Sequence, residues 1–133
     1  MLAEQELKEI AGEIRTCNKC ILSQSRKKSV PGDGPADAEI MFIGEGPGFH
    51  ENEQGLPFVG QAGKFLEELL ESAGLSRKGV FITNVVKCRP TGNRDPQEDE
   101  LKACEPYLDR QIAAIRPKTL CPMGNFAVSY VME

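Results

Sequence analysis

The sequence lacks both the long apolar runs and the leader-like start that would direct a chain to a membrane. No stretch approaches the ~18 consecutive apolar residues of a membrane-spanning helix. The first residues are acidic rather than basic and then apolar, so we expect no signal peptide. The 133 residues therefore indicate one cytoplasmic domain over residues 1–133, whose five cysteines are metal ligands or free thiols rather than disulfides.

The chain also has little histidine and no excess of positive charge. The formal net charge of −4 argues against a protein that coats nucleic acid, but not against an enzyme that touches a few phosphates. His50 is the single histidine, and such a residue on a loop is usually exposed rather than a catalytic base. The local basic clusters are interpreted as solvated surface charge: 26–28, 77–78, and Lys87 with Arg89 and Arg94.

The hydrophobic pattern alternates between helical and extended segments. Amphipathic helices are predicted over 2–16 and 60–74, and a long loop over 21–38. Asp95 and Pro96 are interpreted as the N-cap and first residue of a further helix that ends at Ile115. Short apolar runs predict strands over 38–44, 79–87 and 119–124, and a last helix begins at 125.

This alternation predicts the fold class. Strand–helix–strand order implies right-handed crossovers, so we expect an α/β domain with a Rossmann-like open parallel sheet flanked by helices. Three strands are present, and we expect a fourth to be missing because the sequence stops within the last helix. Ligands of such sheets bind outside the carboxyl ends of the strands, which here means the loops after Ile43, Lys87 and Met123.

Four cysteines form the most informative pattern of the chain. Cys17 and Cys20 make a Cys-x2-Cys step, and Cys88 and Cys104 follow much later. Thiolates are soft ligands, and the spacing leaves zinc, a [4Fe–4S] cluster and unligated thiols open. A ferredoxin-like electron carrier is disfavoured because its cysteines crowd into one segment, so a structural staple is expected. Cys121, within the third predicted strand, is interpreted as a core residue.

A glycine-proline loop, 44–48, follows the first predicted strand. Gly46 and Gly48 would let a flat ligand approach the backbone, and Glu45 and Glu51 could serve as acid, base or acceptor. A tight turn with solvated carboxylates is the simpler alternative. No helix is predicted directly after this loop, which therefore is not a dinucleotide fingerprint, and the phosphate-binding Gly-x4-Gly-Lys-Ser/Thr pattern is absent.

Two further residues have the chemistry to recognise a nucleobase. Phe58 lies on a glycine-rich segment, where its ring could stack on a base or simply belong to the core. Asn84 is a polar residue in a strongly apolar run. Its amide offers both a donor and an acceptor, which suits the edge of a pyrimidine or a buried hydrogen bond to a neighbouring loop.

Together these motifs resemble the iron–sulfur uracil-DNA glycosylases, often called family 4. Any one motif is weak, but the ordered set is specific and covers nearly the whole chain. The motifs are Cys17-x2-Cys20, 44–48 with Glu51, 57–63, 83–90, Asn93-Arg94, Cys104, and 115–117 with Gly124.

The resemblance implies base-excision repair, in which uracil is flipped out of DNA and its N-glycosidic bond is hydrolysed. It implies that Phe58 stacks on the uracil, that Asn84 hydrogen-bonds its edge, and that the backbone of Gly46 and Gly48 lines the pocket. The protein would act as a monomer that binds uracil-containing DNA and does not contact membranes. The catalytic residues would be Glu45, Glu51 and Asn93, and a [4Fe–4S] cluster would bind Cys17, Cys20, Cys88 and Cys104.

The sequence departs from the family pattern in one respect. The family carries a later His-Pro motif with a histidine near the uracil oxygen, and His50 does not match that position. We therefore expect weak or no glycosylase activity, since losing a group that stabilises the leaving anion lowers the rate about 10²–10³-fold. The alternatives are a cluster-stapled module that binds deaminated or single-stranded DNA without cleavage, an electron-transfer protein, and a covalent uracil-trapping relative.

Overall fold

The computed structural model describes residues 2–18, 22, 26–90 and 94–132. The elements, in chain order, are α1 (Leu2–Arg15), β1 (Ile40–Gly44), α2 (Phe49–Gln54), α3 (Gln61–Ser72), a 3-10 turn (Arg77–Gly79), β2 (Phe81–Asn84), α4 (Glu98–Ile115), β3 (Thr119–Pro122) and α5 (Asn125–Met132). Of the helices in these ranges, none combines the length and apolar character that crossing a membrane requires.

The sheet has the order β2-β1-β3, and both strand pairs are parallel. The predicted α/β class with an open parallel sheet flanked by helices is confirmed. Gly44 at the end of β1 lies opposite Asn84 at the end of β2, so the two carboxyl ends meet. Part of the predicted long loop also pairs with the sheet, because Asp33 forms an antiparallel bridge with Ile82 on the outer side of β2.

The strands bury side chains on two faces. One face packs Met41, Ile43, Phe81 and Val85 with α4 and α5, and the other packs Val80 and Ile82 with Leu66 and Leu70 of α3. Successive side chains of a strand point to opposite faces. Thr83 therefore belongs to the α4 face, and Asn84 to the α3 face, where Phe58 packs.

Helix α2 corrects the prediction that no helix follows the glycine-proline loop. The helix begins at Phe49, directly after Gly48, whose N–H donates to Glu51 Oε1 at 3.0 Å. Gly55 ends it with φ 75°, a left-handed conformation that glycine adopts without steric penalty. A carboxylate at the third helical position satisfies a backbone donor at the helix start, which is why so short a helix forms here.

The predicted start of α4 was also wrong. Its N-cap is Gln97 rather than Asp95, because the Gln97 N–H donates to Glu100 Oε1 at 2.8 Å. Glu100 is fully buried, and Arg94 donates to both of its oxygens at 2.8 and 2.7 Å. The hydrogen bonds from Arg94 lower the pKa of Glu100, so the helix start carries a paired carboxylate.

Two smaller predictions also need correction. The predicted strand 79–87 is shorter than expected, because 77–79 forms a 3-10 turn and the chain bends away after Asn84. Cys121 is only partly buried, as are its neighbours in β3, whereas the other edge strand, β2, is buried and pairs on its outer side with Asp33.

Candidate functional site

A cavity of about 240 Å³ lies at the carboxyl ends of β1 and β2, where parallel sheets bind their ligands. Pockets that bind drug-sized ligands measure roughly 300–1,000 Å³, so this smaller cavity suits a single small ring system. Five of the residues predicted from sequence line it together with Ala62 of α3, which the sequence did not indicate: Gly46, Gly48, Glu51, Phe58 and Asn84.

Asn84 presents an amide to this cavity from the end of β2. The residue is 2% exposed, yet its side chain makes no hydrogen bond within the described part of the chain. Gly44 allows the side chains of Asn84 and Phe58 to approach the end of β1 closely. A Cβ at Gly44 would lie 2.4 Å from Asn84 Oδ1 and 2.7 Å from Phe58 Cζ. The glycine at the end of β1 therefore leaves room for both side chains.

The Phe58 ring is held by its own backbone. Phe58 has φ 50°, an uncommon conformation for a residue with a side chain. The Arg77 guanidinium donates to the carbonyls of Pro57 and Phe58, which fixes this turn. Gly63 allows the turn to press on α3, since a Cβ there would lie 1.8 Å from Phe58 O. The two sequence-based interpretations of Phe58 coincide, because its ring packs on the α3 face and also lines the cavity.

Glu51 closes the cavity by joining two loops. Its carboxylate accepts the N–H of Gly48 at 3.0 Å, of Val59 at 2.9 Å and of Gly60 at 3.0 Å. Burial alone would raise the pKa of Glu51, but these backbone donors outweigh it and hold the pKa below 4.5. Glu51 is therefore an ionised acceptor at neutral pH, unsuited to the role of general acid.

Glu45 does not join the cavity residues. Its Oε2 accepts the backbone N–H of Phe126 at 3.0 Å, at the start of α5. Gly124, with φ 102°, permits this approach, since a Cβ there would lie 2.6 Å from the Glu45 carboxyl carbon. His50 is exposed and packs edge-on against Phe49, with ring centroids 5.4 Å apart. The predicted Asn93 lies outside the described residues.

The cysteine pattern can be followed in three of its four members, because Cys20 also lies outside the described residues. Cys88 and Cys104 are buried, and Cys17 is half-buried. Tyr107 hydrogen-bonds with Cys17 and interacts electrostatically with Cys104; burial, more than these contacts, raises the pKa of Tyr107. Arg26 donates to Cys88 Sγ at 3.0 Å. Within the described ranges, no group of three or more candidate ligands is assembled around a point.

One member of the predicted surface clusters is not on the surface. Lys87 is 1% exposed, and the interpretation of this residue as solvated charge was wrong. It donates to Thr83, Asn84 and Gln111, and these acceptors are what permit an ammonium group in the core. Burial lowers the pKa of Lys87 to about 7, although the nearby Cys104 opposes that shift.

A larger cleft, of about 620 Å³, lies near the start of β2 rather than at its carboxyl end. Charged side chains such as Asp33, Glu67, Glu71 and Arg77 border it, and none of the predicted site residues lines it. The smaller cavity is the better candidate because stacking, amide and carboxylate chemistry converge there.

Comparison with known proteins identifies the family. The uracil DNA glycosylase superfamily matches residues 31–133. A type-4 uracil-DNA glycosylase of Saccharolobus solfataricus is 57% identical over 125 residues, covering 93% of this chain and 58% of its own length. One of Sulfurisphaera tokodaii is 54% identical over 96% of this chain and 58% of its own. One of Thermotoga maritima is 43% identical over 100% of this chain and 70% of its own.

The chain therefore belongs to the uracil DNA glycosylase superfamily, and the similarity to its type-4 members that the sequence motifs predicted is confirmed. The chain spans about 58% of the length of the first two relatives.

Proposed function

We propose that this chain recognises uracil in DNA and removes it by hydrolysing the N-glycosidic bond, as a base-excision repair enzyme. One observation carries the proposal: a single small cavity at the carboxyl edge of the sheet combines an aromatic ring, a side-chain amide and an ionised carboxylate. The relatives that carry the name type-4 uracil-DNA glycosylase support it.

The cavity suits a flipped base better than a paired one. A base within a duplex exposes only its groove edges, whereas enzymes that act on the base extrude it into a pocket. The Phe58 ring would stack on the uracil face, which is a favourable contact for any base. Asn84 would supply the discrimination, since an amide can at once donate to the uracil O4 and accept from N3–H.

The reaction breaks the bond between C1′ of the sugar and N1 of uracil. The bonding electron pair leaves with uracil as an anion, the sugar gains oxocarbenium character, and water adds to C1′ and releases a proton. Glu51 is ionised, so in this scheme it orients the base or the attacking water as an acceptor. The backbone at Gly46 and Gly48 would border the base, and Glu45 and Asn93 stay predictions for positioning the base or the water.

We propose that Cys17, Cys20, Cys88 and Cys104 bind a [4Fe–4S] cluster, with zinc as the alternative that the spacing allows. The donor chemistry fits: thiols from the end of α1, the segment after β2 and α4 lie near Tyr107, Lys87 and Arg26. When bound, the cluster would supply a crosslink between distant segments. About four irons and four sulfides per chain would support the cluster, and one zinc without sulfide would contradict it.

The alternative, a module that binds deaminated or single-stranded DNA without cleavage, has one specific observation in its favour. Among the residues described as lining the cavity, Glu51 alone is titratable, and no imidazole faces the cavity. For the same reason we keep the prediction of weak activity. We also keep a cytoplasmic monomer as the proposed state.

The test is single-turnover release of free uracil from a single-stranded oligonucleotide that contains one dU. We expect slow release by the wild-type chain, and its loss in Asn84→Ala and Phe58→Ala but not in the control Phe65→Ala, whose ring is 62% exposed on α3. Binding selective for dU without release would support the module instead. Equal affinity for oligonucleotides with and without dU would contradict both proposals.

A further inference from the structure

Lys87 is among the largest side chains that the structure buries almost completely. Its Nζ donates to Thr83 Oγ1 at 2.5 Å, to the Asn84 carbonyl at 2.7 Å and to Gln111 Oε1 at 2.8 Å. In its protonated form the side chain has three donors and no acceptor, so these three oxygens use all of its hydrogen-bonding capacity. A side chain this fully satisfied holds one position.

Two of its partners have a second attachment. The Thr83 hydroxyl and Gln111 Nε2 each donate to the Pro31 carbonyl at 2.8 Å. Thr83 and Gln111 would therefore stay tied to the 31–33 segment even without the lysine. The Asn84 carbonyl receives its side-chain hydrogen bond from Lys87, and the same peptide group is also held on the sheet side by its Val85 N–H, which donates to the Gly44 carbonyl at 2.9 Å.

The Asn84 carbonyl belongs to the residue that faces the cavity. Asn84 is the last residue of β2, and the chain bends away over 85–88. Lys87 reaches the backbone from the α4 face, on which Thr83 and Gln111 lie. The Asn84 side chain leaves the same backbone on the opposite face, toward Phe58. Lys87 thus contacts the backbone of Asn84 on the face of the sheet opposite to the cavity that the Asn84 amide enters.

We propose that Lys87 is a positioning residue for base recognition: its hydrogen bond to the Asn84 carbonyl sets the direction of the Asn84 amide and thereby contributes to selectivity for uracil. The inference rests on the proposed function, because it assigns to Lys87 a share in the role proposed there for Asn84. It assigns no contact between Lys87 and the base.

The test compares the dissociation constants of two single-stranded oligonucleotides that differ only in one dU or one dC. The two bases have the same ring and differ at the polar edge that an amide reads, so their ratio isolates Asn84 from stacking. Lys87→Met removes all three donors but keeps an unbranched stem. Thr83→Val is the matched control, since it disrupts the same network and leaves the bond to the Asn84 carbonyl.

We expect both variants to unfold at lower urea concentration, but only Lys87→Met to lose selectivity for dU, by about tenfold, a typical coupling between contacting residues. In an Asn84→Ala background, Lys87→Met should change the ratio no further. If Lys87→Met does not fold, the double variant Lys87→Met/Gln111→Leu removes the acceptor left unpaired and serves in its place.

Wild-type selectivity in Lys87→Met or in the double variant would overturn the inference while leaving the proposed function intact. An equal loss of selectivity in Thr83→Val would also overturn it, because the effect would then follow stability alone. A wild-type chain that does not prefer dU over dC would contradict the proposed reading of the base by Asn84, and this inference with it.

Discussion

The segment after β1, which comprises a loop and helix α2, has two carboxylates that are used in different ways. Glu51 turns toward the cavity and accepts three backbone N–H groups from its rim. Glu45 turns away and accepts the Phe126 N–H at the start of α5. One carboxylate builds the cavity, and the other fastens the loop to the neighbouring helix. The difference shows that a shared motif does not give two acidic residues a shared role, because the backbone donors within reach decide what each can do.

The substitution expected to disrupt the cavity most strongly, without touching the Glu45 contact, is Gly63→Ala. The added Cβ would lie 1.8 Å from Phe58 O, a backbone atom, so the turn that carries the ring must move. We expect a loss of about 1–3 kcal/mol in the free energy of unfolding, as for other overpacked sites, together with loss of dU binding. Urea unfolding and oligonucleotide binding measure the two effects.

Gly12→Ala is the control for that variant. Gly12 lies within α1 with nothing within 4 Å of its would-be Cβ, so alanine should stabilise the chain by roughly 0.5–1 kcal/mol. Unchanged stability and binding in Gly63→Ala would contradict the tight approach of the Phe58 turn to α3.

A second prediction concerns the ring itself. Phe58→Ala should weaken binding of a dU-containing strand by about 5–150-fold, the equivalent of 1–3 kcal/mol of base stacking. Phe65→Ala removes an exposed ring from α3. It should change the dissociation constant by no more than about twofold, which is close to experimental scatter. Equal losses in both variants would show that the cavity ring has no special part in binding.

The third prediction uses the pKa of Glu51. Its folded-state pKa lies below the ordinary 4.5, so the carboxylate stabilises the fold above the unfolded-state pKa and loses that contribution as pH falls through the folded-state pKa. At pH 7, Glu51→Gln should lower the free energy of unfolding by about 1 kcal/mol, typical of a lost hydrogen bond. The difference from wild type should shrink below pH 4.5.

Glu68→Gln, on the exposed side of α3, is the matched control and should leave the free energy of unfolding at pH 7 nearly unchanged. A wild-type-minus-variant difference for Glu51 that stays constant from pH 7 to pH 3.5 would contradict the hydrogen-bonded carboxylate on which the comparison rests.

The smallest effect belongs to Glu45→Gln. The amide oxygen can still accept from Phe126, so only the charge at the start of α5 is lost, with an expected effect of about 0.3–1 kcal/mol on unfolding. If Glu45 acts only through its hydrogen bond from Phe126, uracil release and dU binding should stay near wild type. If Glu45→Gln released uracil as slowly as Asn84→Ala does, Glu45 would take part in the reaction, and the two carboxylates would not have the different roles described above.

The sequence predicted the cavity better than it predicted the contacts that support it. Strand periodicity located the end of β1 but placed the end of β2 at residue 87 instead of Asn84, and residue chemistry marked Phe58 and Asn84 as candidates for base recognition. Helix α2 could also have been anticipated, since Gly48 and Glu51 have the spacing of a helix start closed by a carboxylate.

The remaining contacts depend on residues far apart in the chain. From sequence alone Lys87 is interpreted as surface charge, because the buried hydrogen-bond network that it joins depends on the distant residues Pro31 and Gln111. The direction of Glu45 is set by Phe126, 81 residues later, which no local pattern reveals.

The most direct test of the central claim is an NMR titration of the ¹⁵N-labelled chain with free uracil, with cytosine as the reference ligand. If the cavity is the base site, uracil should shift the side-chain amide of Asn84 and the backbone amides of Gly46 and Phe58, and cytosine should do so far less. Shifts confined to the cleft bordered by Asp33 and Arg77, or equal responses to both bases, would contradict the account.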